Sequence, residues 1–550
     1  MLVHLLFLIL GAGLISELVP KNRLPVLWSL FSMAAVLYFI YRLSLLGAAP
    51  ELYINYPWLK IPNLAINLEI AVNAGNIYLV FALLVLALLV LLQNTFGIEN
   101  AKNSLNGLVL LNLLSALMLV FANNYIQMLV AVGVCDVLVF STINNIEAKK
   151  KYIYANFLAD TGLVSIFAVV LGQGGGLELK NLAAYAQFGH HKDFVAILLL
   201  ICIFIKSGLF LFHGTYTEMR SLGLNRLNYI LYTATPLTGY LLLLKTEALL
   251  QISPYSYPML QLFALSSVVW GFCGAVAIDQ IKQKAVYFAL MFWGLVYAFA
   301  AFDSRLDTLD FASLLTASFL FGQVLMLIYT AASNETQVSE TGGFIKSLKF
   351  TFLLTLLVLA ALFSVLLSLK DDNPWLAGGW FVLFAAASAH ILSQIMLGQS
   401  HADERVQAML KNPPIPSWLP VALAALALCR YFNVSLFYLL PAVALWLVLF
   451  FSRPLRRLDA LYDNENLQEA DYLGTAYELL IITPVKVIGR LLWLTVDFVF
   501  IERTIINSVQ NALSFMIFLF RRIHSGTTIG ALMFVLLGFA VIGIVWLYGG

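Results

Sequence analysis

Residues Ala196–Phe212 read AILLLICIFIKSGLFLF, an apolar run broken by a single charge, Lys206, with His213 directly after it. About 17 residues of this composition make a transmembrane helix or most of one. A charge at that depth costs ~3 kcal/mol on insertion scales. Chains keep one where it pairs with a carboxylate, lines a wet path or carries protons. What Lys206 does is therefore the main functional question.

The rest of the chain resembles its surroundings. The 550 residues are 61% hydrophobic and 11% charged, where a soluble domain carries roughly 25% charge, and the mean hydropathy is +0.90. Apolar runs of spanning length lie near 2–19, 25–45, 77–94, 106–121, 124–143, 154–172, 195–212, 227–245, 257–278, 285–302, 311–333, 349–368, 376–398, 416–430, 433–452 and 526–548. The expected fold class is an all-α polytopic membrane protein of about 16 transmembrane helices in a lipid bilayer. Loops after odd-numbered runs hold most of the basic residues, among them Lys149–Lys151, Lys282/Lys284 and Arg453/Arg456/Arg457. The positive-inside rule then puts both termini on the outer face. No basic segment precedes Met1–Val19, so it reads as a retained helix rather than a cleaved signal.

Several function classes are excluded. A net charge of +2 gives no broad basic surface for nucleic acid. Cys135, Cys202, Cys273 and Cys429 stand singly, without metal- or haem-binding spacing. No nucleotide-binding glycine motif occurs, and Gly172–Leu177 (GQGGGL) reads as a loop. The expectation is a chain without cofactor, metal or redox centre.

Between Ala476 and Ile523 the sequence stays helix-compatible. Polar residues recur at Lys486, Arg490, Asp497, Thr504, Asn507, Asn511 and Ser514, one narrow stripe on an apolar rod. A helix of ~40 residues is ~60 Å long, twice the hydrocarbon thickness. The stretch reads as a long helix lying along the membrane surface.

Four ionisable positions fall inside or beside the apolar runs. Asp136 lies within YIQMLVAVGVCDVLVF, Asp160 within FLADTGLVSIF, Lys206 in the seventh run, and Lys370–Asp371–Asp372 at the end of the twelfth. Asp160 and Lys370 lie near run ends, where snorkelling is the bland alternative. A buried acid beside a buried base supports each partner's charged form, so a Lys/Asp pair that makes and breaks loads and unloads protons. A static pair that only joins helices is the alternative. His213, seven residues after Lys206, is expected two turns on along the same helical face, as a candidate exit relay or as a packing residue.

At Lys206–Ser207–Gly208 and His213 the sequence resembles the Lys-Ser-Ala-Gln-x-Pro-(Phe/Leu)-His stretch of the antiporter-like subunits of respiratory complex I, which are related to Mrp-type cation/proton antiporter subunits. Further segments follow in the same order. Ile281–Lys282 with Tyr287 and Gly294 resembles the Asp-Ile-Lys-Arg segment, and Lys370–Asp371 the Phe-Ser-Lys-Asp-Glu-Ile motif. Asp160 falls at the sixth-span aspartate, and Tyr56–Asn76 is similar to the external strand-like segment before the third span. The tail, from LYDNENLQEADYLG at Leu461 to RRIHSGTTIGALMFVLLG at Arg521, is similar to the end of subunit L, where a lateral helix braces neighbouring subunits.

The resemblance implies antiporter-like inverted repeats and a division into 1–105 (first helices and external loop), 106–245 (first half, with Lys206), 246–400 (second half, with Lys370), 401–475 (connecting helices and loop), 476–525 (lateral helix) and 526–550 (final span). It implies a membrane-arm subunit of a complex I-type NADH-quinone oxidoreductase in a bacterial inner membrane, without redox chemistry of its own. Its partners would be other membrane-arm subunits, and H+ or Na+ the transported ion. Lys206, Asp136, Asp160, His213, Lys282, Lys370 and Asp371 would transfer the protons.

The departures matter as much. The family's fifth-span glutamate falls at Gly133, with Asp136 one turn away. The Pro-Thr-Pro stretch falls at Gly223–Leu224–Asn225, a relay histidine at Leu231, and the eleventh-span lysine at Phe321. Nearby histidines fall at Ser313 and Ala317, which leaves Gln323 as the strongly polar side chain there. Two further readings follow: a mainly structural paralogue that keeps the brace, and a stand-alone cation/proton antiporter, which the lateral tail counts against.

Overall fold

The computed structural model describes residues 2–18, 25–44, 52–61, 64–72, 74–95, 106–172, 179, 192–217, 219, 222–302, 306–331, 343–346, 348–369, 373–397, 415–432, 436–451, 483–492, 508 and 510–515. The chain divides into two compact units, 1–471 and 472–550. The first holds all of the membrane helices described here.

Helices α1 (Leu2–Leu18) and α2 (Pro25–Ser44) precede an antiparallel hairpin of β1 (Leu52–Ile61) and β2 (Leu64–Val72). Leu52 pairs with Val72 and Ile61 with Leu64, and an irregularity lies at Pro57, where a missing N–H cannot join the ladder. Four helices follow: α3 (Ala74–Thr95), α4 (Asn106–Phe121), α5 (Tyr125–Thr142) and α6 (Ile146–Gly172). Next come α7 (Lys192–Ser207), α8 (Leu224–Thr233) and α9 (Thr235–Leu250). The unit continues through α10 (Ser256–Ala277), α11 (Ile281–Ala301), α12 (Thr308–Ala331), α13 (Lys349–Ser368), α14 (Pro374–Leu397), α15 (Ile415–Phe432) and α16 (Leu436–Phe451).

This is a multi-pass helical membrane protein. Among the described residues eight helices are long and apolar enough to cross a bilayer, with five shorter apolar helices beside them. Burial sorts them. The apolar windows of α11 and α12 are 94% and 100% enclosed by protein, against 33% for α6 and 39% for α10. The outer helices carry exposed apolar side chains such as Phe157, Val137 and Leu262, as expected where lipid or another chain is the solvent. Helices α10 and α11 pack closely because Gly271 and Gly294 each sit against the partner's backbone.

Two of the expected spans are broken. The run at 195–212 is helical only to Ser207, and the run at 227–245 is two helices that meet at Ala234. Gly208 at φ 60° ends the first. Its N–H reaches the Ile205 carbonyl and the Leu209 N–H the Phe204 carbonyl, a Schellman closure that needs glycine's left-handed freedom. Pro236 in the first turn of α9 accompanies the second break, since proline cannot donate to a continuing ladder. The span expected at 526–548 lies outside the described residues.

Within the second unit the described helix is α17 (Thr483–Leu492), with Lys486 and Arg490 on its exposed side. Residues 510–515 are also helical. The remainder of the surface helix expected over 476–523 lies outside the described residues.

Candidate functional site

Lys206 is in the last turn of α7 and fully buried. Its position at a helix C-terminus is favourable for a cation, because the unpaired carbonyls there carry partial negative charge. Its Nζ donates to Asp136 Oδ2 on α5 and pairs with Asp160 Oδ1 on α6 at 2.7 Å. The structure thus brings three of the sequence candidates into one cluster of two carboxylates and one ammonium. The side chains are graded in exposure: 0% for Lys206, 10% for Asp136 and 38% for Asp160. The open side of the cluster is therefore at Asp160.

A hydroxyl system surrounds the cluster. Tyr152 donates to Asp136 Oδ1 at 3.2 Å. Tyr216, on the single turn Gly214–Thr217, donates to the Lys206 carbonyl at 3.0 Å and sits 2.5 Å from Thr235 Oγ1. Ser207 donates to the Ile203 carbonyl and bonds the Tyr297 hydroxyl on α11. Gly239 of α9 lies against Ser207, where a side chain would collide with Ser207 Oγ. Both helix breaks thus face one another across buried hydroxyls. Trp293 donates to the Leu231 carbonyl at 2.8 Å, which gives a partner to a group near the break.

His213 departs from its expected place. The helix that was to carry it on the Lys206 face ends at Ser207, and Gly208 and Leu211, both with positive φ, turn the chain away. His213 Nε2 accepts from Trp270 Nε1 at 3.2 Å, and the imidazole lies beside the Tyr287 ring. An imidazole that accepts at Nε2 is the neutral form protonated at Nδ1. It is buried against α10 and α11, and its Nδ1 has no hydrogen-bond partner among the described residues. Lys282 begins α11 and donates to the Leu222 carbonyl at 2.9 Å, near the Tyr329 ring. It is not among the residues joined to Lys206. Lys370 and Asp371 lie outside the described residues.

The other departures are resolved into packing. Phe321 sits in a ring cluster with Phe288 at 4.9 Å and Phe384 at 5.0 Å, and Trp380 stacks on Phe384. Gln323 donates to Asn225 Oδ1 at 3.3 Å. A Cβ at Gly133 would touch nothing within 4 Å, and the α5 carboxylate that meets Lys206 is that of Asp136.

Sequence reading missed Tyr152, Tyr216, Thr235 and Tyr297. A tyrosine within an apolar run is the available signal, since a buried Tyr hydroxyl needs a partner. It also missed that Lys284 and Lys245 reach carbonyls at the ends of other helices. Lys284, fully buried, donates to the Ala275 carbonyl, and Lys245 donates to the Val120 and Ala122 carbonyls. Each closes the C-terminal end of a neighbouring helix.

No protein-family model and no curated protein matches the chain. Among solved structures it is similar to a chain of the Mrp complex from Dietzia sp., with TM-score 0.64 and 16% identity over 99% of this chain. It spans about 63% of the length of that chain. It is similar to a chain of an archaeal membrane-bound sulfane sulfur reductase, with TM-score 0.65 and 16% identity over 98% of this chain and 99% of that one. Respiratory complex I from Thermus thermophilus gives TM-score 0.59 and 18% identity over 82% of this chain and 100% of the matched one. At these identities the likeness establishes a shared fold, that of a multi-pass helical chain found in multi-subunit membrane complexes.

Proposed function

We propose that the chain is an antiporter-like subunit of a multi-subunit membrane complex, of the complex I or Mrp kind, and that it moves protons through the Lys206 site. The observation that carries this reading is the cluster itself: one fully buried ammonium held by two carboxylates from different helices, between two broken helices. A static brace needs one acid per base. A second carboxylate offers the lysine an alternative partner, so the pairing can change without leaving the ammonium unpaired. Unit charges 4 Å apart interact by ~4 kcal/mol at an effective dielectric of 20. A charge change at that distance, relayed from a neighbouring subunit, is enough to redistribute the proton. Asp160, the most exposed of the three, is the loading side.

The finer assignment to subunit L of an NADH-quinone oxidoreductase rests on the order of sequence motifs and the tail. The Dietzia Mrp chain matches 99% of this chain, so the tail does not count against an Mrp-type antiporter. A structural paralogue is favoured by one observation, the aromatic packing at Phe321 in place of a relay lysine.

The test is purification of the tagged chain in mild detergent, with proton movement followed in vesicles of the same membranes. The expected result is co-purification with other polytopic subunits and uptake that stops on Lys206→Ala. A chain that migrates alone, or uptake indifferent to Lys206, contradicts the proposal. Intact uptake in Lys206→Ala, together with disassembly on removal of residues 476–550, identifies the structural paralogue instead.

A further inference from the structure

Apart from the Lys206 cluster, a cleft of about 530 Å³, open mouth included, lies between α9, α10 and α11. Small-molecule pockets span roughly 300–1,000 Å³. Its lining comes from helix ends on one face of the bundle. Glu247 is in the last turn of α9, Ser256 and Tyr257 are in the first turn of α10, Ala300 is at the end of α11, and Leu306 lies just before α12. Tyr240 is seven residues back along α9 from Glu247, which sets it ~10 Å deeper at a rise of 1.5 Å per residue.

The cleft is polar at its mouth and apolar within. Glu247 is oriented by two donors to Oε1, the Tyr257 hydroxyl at 3.1 Å and the Gln251 side-chain amide at 3.4 Å. A carboxylate accepts up to about four hydrogen bonds, so it can take a ligand's donor as well. Buried Leu243 and Leu260 line the interior. The Tyr240 ring at the deep end lies 4.3 Å from that of Phe311. Ser256 is 1% exposed, and its hydroxyl has no hydrogen-bond partner among the described residues. A buried hydroxyl without a partner is costly, and a bound molecule that meets it removes the cost. The lining includes no Lys, Arg or His among the described residues. Lys245, two residues from Glu247, turns instead to the Val120 and Ala122 carbonyls. The charged wall of the cleft is thus acidic, and it favours a cation.

We propose that this cleft binds a cationic amphiphile, whose primary ammonium donates to Glu247 at the mouth and whose alkyl chain lies along Leu243 and Leu260 toward Tyr240. An ammonium brings three donors and no acceptor, which matches a mouth that offers a carboxylate. A phosphate or carboxylate head would meet Glu247 with like charge. The Ser256 oxygen is a second acceptor on the cleft wall. The alkyl chain gains little by leaving the bilayer, because lipid tails are as apolar as leucine. Selectivity therefore resides in the head and in the fit. The site lies apart from the Lys206 cluster, and the inference does not depend on proton movement.

The test is native mass spectrometry of the purified full chain, with any subunits that accompany it, titrated with dodecylamine, dodecanol or phosphatidylethanolamine. The expected result is one saturable dodecylamine per chain. Loss of a hydrogen bond to a charged group should weaken binding by about tenfold or more, both for dodecylamine in Glu247→Gln and for dodecanol in the wild type. Ser256→Ala should weaken dodecylamine binding by a smaller factor, about threefold. Leu243→Trp, which narrows the cleft and keeps the carboxylate, should remove it. Displacement of dodecylamine by phosphatidylethanolamine would identify a lipid headgroup as the source of the ammonium, and retention would identify a free amphiphile. Equal dodecylamine affinity in wild type and Glu247→Gln, equal affinity for dodecanol, or uptake that does not saturate overturns the proposal. A second readout is the thermal unfolding midpoint, which dodecylamine should raise in the wild type and not in Glu247→Gln. Equal shifts in the two chains would overturn the assignment to Glu247.

Discussion

The Lys206 site and the Phe321 cluster occupy comparable settings in the helix bundle, and they are built in opposite ways. At Lys206 the helix stops, a glycine turns the chain, and a buried ammonium meets two carboxylates with hydroxyls from five segments around them. At Phe321 the helix runs unbroken through α12, and the side chain is locked among rings. Buried ions are costly unless paired, so the first region persists only because each charge has a partner. The second is stabilised by apolar burial and edge-to-face ring packing. The first is built of titratable groups. The ring cluster of Phe288, Phe321, Phe384 and Trp380 holds none.

The comparison breaks most readily at Lys206. Replacement by alanine strands two carboxylates, and the expected cost is about 3–5 kcal/mol, read as a lower midpoint for thermal unfolding in detergent. A stability within 1 kcal/mol of wild type would mean that the acids do not depend on the lysine. Phe321→Ala should also destabilise by about 3–5 kcal/mol through the cavity it leaves. Proton movement per folded molecule should stay at the wild-type rate; a marked fall would place Phe321 on the route.

Smaller effects sharpen the contrast within the charged site. Asp136→Asn should destabilise by about 1.5–3 kcal/mol, the range for hydrogen bonds to charged groups. Asp160→Asn should cost less, because its carboxylate is less enclosed by protein, 38% exposed against 10% for Asp136. Equal costs would remove the distinction between an inner and an outer acid. His213→Gln should be the mildest, with proton movement changed less than twofold, since the imidazole packs against Trp270 and Tyr287 rather than against the carboxylates of the Lys206 cluster. A tenfold loss would restore His213 as a relay.

The charged half of the site was legible in the sequence because Asp136 and Lys206 stand out in apolar runs, where any charge demands a partner. The helix positions were legible for the same reason: apolar length fixes a span. The breaks were not. Gly208 lies within a continuous apolar run, and Pro236 lies within a run that otherwise reads as one span, so length alone carried the reading past both. With the α7 break went the placement of His213. The tyrosines escaped because a hydroxyl on an aromatic ring counts as apolar in a hydropathy window, and only the fold shows which rings meet. Lys284 escaped for the converse reason. It sits among loop charges in sequence, yet it folds inward onto the end of α10.

The central claim is that Lys206, exchanging between two acids, carries the proton. The most direct measurement is proton movement in vesicles containing the assembled complex, compared between wild type and Lys206→Ala at matched amounts of assembled chain. The account predicts that movement falls to the background of membranes lacking the chain while assembly is retained. Wild-type movement in the fully assembled variant would contradict it.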